Sequence, residues 1–152
     1  MTTHYQSHRL RTGRYSEPGR IYLLTAITRG RQRFFADFLL ARLLIRCLRQ
    51  AEEEHLADSL AWVVMPDHLH WLVELHDATL DELMRKTKSR SARVINHWKG
   101  RMGPLWQSGF HDRAIRREED LLAVARYIVA NPLRAGLVKR VGDYPLWDSV
   151  WL

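Results

Sequence analysis

At 152 residues, with 46% apolar side chains and six tryptophans, the chain is long enough to fold as one domain around its own core, which excludes an intrinsically disordered segment. Twenty-four Lys and Arg against 17 Asp and Glu leave a formal charge of +7, carried mainly by arginine, and favour a polyanionic partner, nucleic acid before any other. A lone Cys47 excludes a disulfide framework and a multi-cysteine zinc site, and no apolar run approaches the length of a membrane span.

Residues 1–19 are polar and basic, and read as an arm that orders on binding. The arm lacks the apolar stretch of a signal peptide, so a cytoplasmic location is expected. "RIYLLTAITR", residues 20–29, is rich in β-branched and aromatic residues and predicts a strand, and "RGRQRFF" then makes a basic loop. From Asp37 to His55 the residues Leu40, Leu43, Leu44, Cys47, Leu48 and Ala51 recur at helical spacing, with Arg42, Arg46, Arg49 and Glu53 opposite. Ser59 to Met65 predicts a second strand, Pro66-Asp67 a tight turn, and "HLHWLVEL" a third strand, which completes a hairpin.

Thr79 and Glu82 fit a capping box at the start of a second helix. Its inward stripe is Leu80, Leu83, Met84, Thr87, Val94, Ile95 and Trp98, and "KGRMGP" ends it. "LWQSGFHDRAIR", residues 105–116, predicts a fourth strand with an irregular middle, and a third helix runs from Glu118 to Ala130, stopping at Asn131-Pro132. "YPLWDSVWL" is a short tail. The order β-α-β-β-α-β-α predicts an α+β fold of the ferredoxin-like, split βαβ kind. A four-stranded antiparallel sheet would carry two helices on one face, with an extra C-terminal helix packed elsewhere. Such a fold hosts many functions and selects none.

Chemistry concentrates in two places. Residues two apart on a strand share a face, so His68, His70, Leu72 and Glu74 point one way, while Leu69, Trp71, Val73 and Leu75 point to the helices. The histidines take the face that the first two helices leave open, close enough together to hold one cation. By spacing alone, two strand histidines without a ligand are the simpler reading. Two imidazoles are also too few for a closed site, so a further ligand must come from elsewhere. On the third helix, Leu121, Leu122, Ala125, Ile128 and Val129 form the apolar face. Tyr127 lies about 140° from its centre, and Asn131, one turn on, shares the Tyr127 edge. A tyrosine and a cation site together suit phosphodiester chemistry, because a phosphotyrosine conserves the bond energy for rejoining.

"MPDHLHWLVEL" resembles the histidine–hydrophobic–histidine (HUH) motif of single-tyrosine transposases, and "ARYIVANPLRAGLV" resembles the helix that carries their tyrosine. "GRYSEPGRIYLLTAITRGR", "LWQSGFHDRAIR" and "YPLWDSVWL" are similar to further blocks of the REP-associated tyrosine transposases, in the family order. The resemblance implies that His68 and His70 bind a divalent metal, Mg or Mn, and that Tyr127 is the nucleophile. It also implies cutting of single-stranded DNA beside a hairpin, with a 5′-phosphotyrosine and a free 3′-OH. Insertion-sequence relatives place a glutamine four residues after the tyrosine. Here that position is Asn131, a shorter candidate third ligand.

DNA contact is expected from two sets of residues. One is the arm, where Arg9, Arg11 and Arg14 accompany Tyr15 and suit base stacking and edge reading in single strands. The other is the second helix, where Lys86, Arg90 and Arg93 form a stripe beside Arg85 and Lys88. His111, Asp112 and Arg113 are candidates to support the site or touch DNA. The expected organisation is a basic arm at 1–19, a transposase-like catalytic domain at 20–140 and a tail at 141–152. The expected substrate is single-stranded or hairpin DNA, with no membrane partner, and the protein acts as a monomer or homodimer. The rival readings are a domesticated hairpin-binding protein that needs no catalysis and, more distantly, an RNA-binding module on the same sheet topology.

Overall fold

Strand-forming and helix-forming segments alternate along the chain, and the computed structural model, which describes residues 16–116 and 118–152, shows each of them paired with partners distant in sequence. In chain order the elements are β1 (Ile21–Ile27), α1 (Phe38–Glu53), β2 (Ala57–Met65), β3 (His68–Leu75), α2 (Leu80–Lys99), β4 (His111–Ile115), α3 (Glu118–Val129), α4 (Asn131–Arg134) and β5 (Trp147–Ser149). The antiparallel sheet has the order β4-β1-β3-β2-β5. The predicted α+β order therefore holds, with β3 central between β1 and β2.

Helix ends follow local chemistry. Asp37 caps α1, its carboxylate accepting from the Leu39 and Leu40 amides. Thr79 caps α2, its hydroxyl accepting from the Glu82 amide at 3.0 Å. Gly100 ends α2 in the left-handed conformation, at φ 60°, where a side chain would be strained.

Period-two alternation sorts β3 as expected. Leu69, Trp71, Val73 and Leu75 are buried in the main core with α1 and α2. Trp71 also donates its indole N–H to Ser59, so its polar atom is satisfied inside that core. Met65 pairs with His68, leaving Pro66-Asp67 as the two-residue turn of the hairpin.

Three expectations need correction. The sheet has five strands, not four: Trp147–Ser149 in the tail pairs with β2, whose other edge would otherwise stay open. The tail is fastened by the Val64 amide donating to the Leu146 carbonyl and by the Tyr144 hydroxyl donating to the Val64 carbonyl. Secondly, the face carrying the histidines is not open along its length. Val124, Ala125 and Ile128 of α3 pack on it against Ala61, Val63, Met65, Leu72 and Ile115. Thirdly, Trp98 is 58% exposed, because the inward stripe of α2 drifts off the sheet by its last turn.

Candidate functional site

β3 begins at His68, at the end of the sheet where the chain has just turned through Pro66 and Asp67. Strand register places Thr25 beside His70 and Ile27 beside His68. The two imidazoles stand edge to face, with ring centroids 4.8 Å apart. Each is anchored through its Nδ1. His68 Nδ1 lies 2.7 Å from an Asp67 carboxylate oxygen, and His70 Nδ1 lies 2.9 Å from the Thr25 hydroxyl. A carboxylate accepts, so His68 carries its proton on Nδ1, and the same tautomer lets His70 donate to Thr25. Both Nε2 lone pairs then face away from their anchors, which is the outer-shell arrangement that orients a metal-binding histidine.

Electrostatics agree with that reading. Burial first, then the charges of His68 and Arg134, pull the His70 pKa down to about 4, so the ring is neutral near pH 7, the form that ligates a cation. Burial pushes the Asp67 carboxyl up, but its bonds to His68 and Arg31, and their charges, hold it below the usual carboxylate value. Arg31 Nη1 takes the second Asp67 oxygen at 3.1 Å. Asp67, Thr25 and Arg31 were not anticipated. The only sequence signal was an acidic residue directly before the first histidine.

Tyr127 is 57% exposed, while its neighbours Val124, Ala125 and Ile128 are buried against the histidine face. The helix thus presents the phenol away from its own core, as its periodicity predicts. Arg134 of α4 reaches back over seven residues. Its guanidinium lies 3.7 Å from the Tyr127 ring centroid, and Nη2 donates to the Tyr127 carbonyl at 2.6 Å. The same charge adds to the lowering of the His70 pKa. Asn131 opens α4, half-buried, with its main-chain carbonyl accepting from the Ala135 amide.

The expected DNA residues fare differently. Arg9, Arg11, Arg14 and Tyr15 lie outside the described residues. Lys86 pairs with Glu82 at 3.5 Å and Arg90 with Glu54 at 2.9 Å, whereas Arg93 is exposed. Lys88 donates to the Gln107 and Gly109 carbonyls and ties the segment before β4 to α2. Register sets His111 beside Thr25 and Arg113 beside Leu23, on the histidine face, whereas Asp112 pairs with Leu24 and shares the opposite face.

A further group of potential ligands lies at the other end of β3. Asp58 and Glu74 are cross-strand partners, and His76 Nε2 sits 2.8 Å from Asp58 and 3.8 Å from Glu74. Their ligand atoms lie within 4.8 Å of one another. The bond to Asp58, opposed by slight burial and reinforced by the charges of Asp58, Glu74 and Asp77, raises the His76 pKa above the ordinary imidazole value.

Residues 20–131 match the family "Transposase IS200 like". The chain belongs to this family. The matched span contains both histidines, Tyr127 and Asn131, and the family expected from the motifs is borne out. This IS200-like chain is 34% identical over 87 residues to the REP-associated tyrosine transposase of Escherichia coli K12, a match covering 56% of the chain and 50% of that relative. The chain thus spans half the length of this curated relative. It is 26% identical over 139 residues to a REP-associated tyrosine transposase of Haemophilus influenzae, covering 84% and 78% of the two. Among solved structures it is similar to the REP-associated tyrosine transposase bound to a REP hairpin, at a TM-score of 0.72 and 27% identity, covering 88% of this chain and 79% of that one. Among the described residues no helix is long and apolar enough to cross a membrane.

Proposed function

We propose that this chain is a metal-dependent transposase that cuts and rejoins single-stranded DNA beside a palindromic repeat folded as a hairpin. The observation that carries the proposal is the pair of imidazoles anchored through Nδ1, with Nε2 left available, on the sheet face that α3 covers in part. The family membership and the hairpin-bound relative support the same reading.

The two imidazoles leave room for a carbonyl oxygen, water and a phosphate oxygen, the oxygen donors that suit a divalent ion such as Mg or Mn. His68 and His70 would hold it, with the Asn131 side-chain carbonyl as the candidate third protein ligand. Bound there, the ion supplies positive charge that neutralises and orients the phosphoryl oxygens. The remaining steps belong to the chain itself. The Tyr127 phenol oxygen attacks the phosphorus, the P–O3′ bond breaks, and the 5′ side stays attached as phosphotyrosine. The phenol loses one proton and the departing 3′ oxygen gains one, so the protons balance. Attack by a 3′-OH reverses the step and rejoins DNA.

Arg134 is a positioning residue, restricting the phenol by stacking on its ring and holding the carbonyl behind it. Lys86, Arg90 and Arg93 would contact phosphates, the first two by exchanging exposed carboxylate partners, and such pairs are worth only about 0–1 kcal/mol. Arg9, Arg11, Arg14 and Tyr15 would grip single-stranded bases. The DNA substrate is consistent with a cytoplasmic location.

The test incubates the protein with labelled single-stranded hairpin DNA and Mn or Mg, then looks for a denaturant-stable adduct. An adduct that survives Tyr127→Phe removes the tyrosine from the mechanism. Tight hairpin binding without an adduct or nick under either metal favours the hairpin-binding reading. Mixing Tyr127→Phe with His68→Ala separates a homodimer acting in trans, which recovers adduct, from a monomer acting in cis, which does not.

A further inference from the structure

The loop from β1 to α1, residues 28–37, has no role in the chemistry above, yet it forms a crown over the end of the sheet where β3 begins. Its attachment is dense. The Thr28 amide and hydroxyl donate to the Asp67 carbonyl, the Phe35 amide donates to the Pro66 carbonyl, and the Arg29 amide donates to the Leu105 carbonyl. The Thr28 hydroxyl shares its one proton between the Asp67 carbonyl and the nearer Gln32 carbonyl, at 2.6 Å, and so closes the loop on itself. These bonds to two separate segments, the β2–β3 turn and the chain at Leu105, make the crown a fixed surface.

Arg29, Arg31 and Arg33 project from it at alternate positions, all exposed. Arg101 extends the row, its guanidinium 4.7 Å from the Phe34 ring centroid. Among the described residues the carboxylate that pairs with these cations is Asp67, with Arg31; Arg29 and Arg33 form no ion pair. The contrast with α2 is direct, since Lys86 and Arg90 are already matched by glutamates. Arg31 is left-handed at φ 52°, a conformation that is strained for a residue bearing a side chain. The backbone turn and the Asp67 pair hold it there, and the other Asp67 oxygen holds His68. Through Arg31 and Asp67 the row of guanidinium groups therefore adjoins the candidate metal site.

We infer that this crown is the track for the single strand that joins the hairpin to the cut site, with Arg29, Arg33 and Arg101 contacting successive phosphates and bases. The inference rests on the reading of the chain as a hairpin-cutting transposase. A single strand fits better than the stem for two reasons. The His68 side chain is only 18% exposed, so the phosphate reaching it must come from a flexible strand. A planar guanidinium over an aromatic ring also offers a stacking surface for an unpaired base.

The experiment uses the tightest-binding stem-loop selected from a randomised DNA pool, prepared with and without its single-stranded flank. Fluorescence anisotropy compares the wild-type chain with the triple variant Arg29→Ala, Arg33→Ala, Arg101→Ala, checked for folding by circular dichroism. Arg31 is left in place because it supports Asp67. The expected result is a tenfold or greater loss of affinity for the flanked hairpin and less than a twofold change for the bare stem-loop. Each single-strand phosphate neutralised contributes about 0.7 to the slope of log affinity against log salt, so the triple variant should lower that slope by about 2 on the flanked DNA alone. Equal losses on both DNAs would place the stem on the crown and overturn the inference. No loss on either would show that the crown does not touch DNA. A wild-type chain that selects no hairpin would instead defeat the underlying reading, and the track with it. As a second variant, Arg29→Lys, Arg33→Lys, Arg101→Lys should restore the salt slope.

Discussion

Histidines stand at both ends of β3, His68 and His70 within it and His76 just past it, in opposite electrostatic settings. At one end, His68 and His70 are anchored by Nδ1, and His70 is held neutral by burial and by neighbouring positive charge. At the other, His76 is gripped through Nε2 by Asp58, and its charged form is favoured. Alternation along the strand is the same at both ends. What differs is the company: a hydroxyl and one shared carboxylate against a cross-strand pair of carboxylates. An imidazole whose Nε2 is already engaged by a carboxylate is a partner in an ion-pair network, while one fixed through Nδ1 keeps its outer nitrogen for a ligand.

The largest expected effect falls at the first end. His68→Ala and His70→Ala should each reduce covalent adduct by at least about 100-fold while leaving hairpin affinity within threefold, read by denaturing gel and anisotropy on the same DNA. Parallel loss of both signals would make the histidines structural. Next come the anchors. Asp67→Ala and Thr25→Val free the rings to turn, and each should weaken Mn binding by about 10–100-fold in calorimetry, with Asp67→Ala the more severe. Unchanged Mn affinity in both would show that the Nδ1 contacts do not prepare a metal site.

Titration sharpens the comparison further. In metal-free protein, imidazole NMR resonances should give His70 a midpoint near 4 and His76 one above 6.5. The signs for stability are opposite. His70 has a depressed folded pKa, so the unfolded chain takes up the proton first, and stability falls as pH drops from about 6.5 towards 4. His76 has a raised folded pKa, so its contribution is complete below the unfolded value and is lost as pH rises through the folded one. Midpoints in the reverse order would contradict the assigned surroundings. The smallest effect is expected for His76→Gln, which should leave adduct formation within twofold and stability within about 0.5 kcal/mol, since its partners are exposed.

The same contrast separates what could be read in the sequence from what could not. Tyr127 was legible because helical periodicity is local: burying Val124, Ala125 and Ile128 necessarily turns residue 127 outward. His68 and His70 were legible as a pair because period two puts them on one face whatever the sheet does. Asp67 could be suspected as a neighbour in sequence, but Thr25 could not, because register between β1 and β3 joins residues 45 positions apart. The α2 cations were read as a phosphate stripe. Glu54, which occupies Arg90, comes from the end of another helix, and no spacing rule within α2 reveals it.

By itself the sequence determined the order of the elements, the two faces of β3, the cap at Thr79 and the outward direction of Tyr127, since all four follow from backbone geometry over a few residues. Only the tertiary structure decided that the tail becomes a fifth strand, that α3 covers part of the histidine face, that Arg134 lies over Tyr127, and that Arg29 and Arg33 have no ion pair among the described residues. Each of these outcomes depends on which distant surfaces meet, and burial energy and hydrogen bonding select those partners after the local elements have formed.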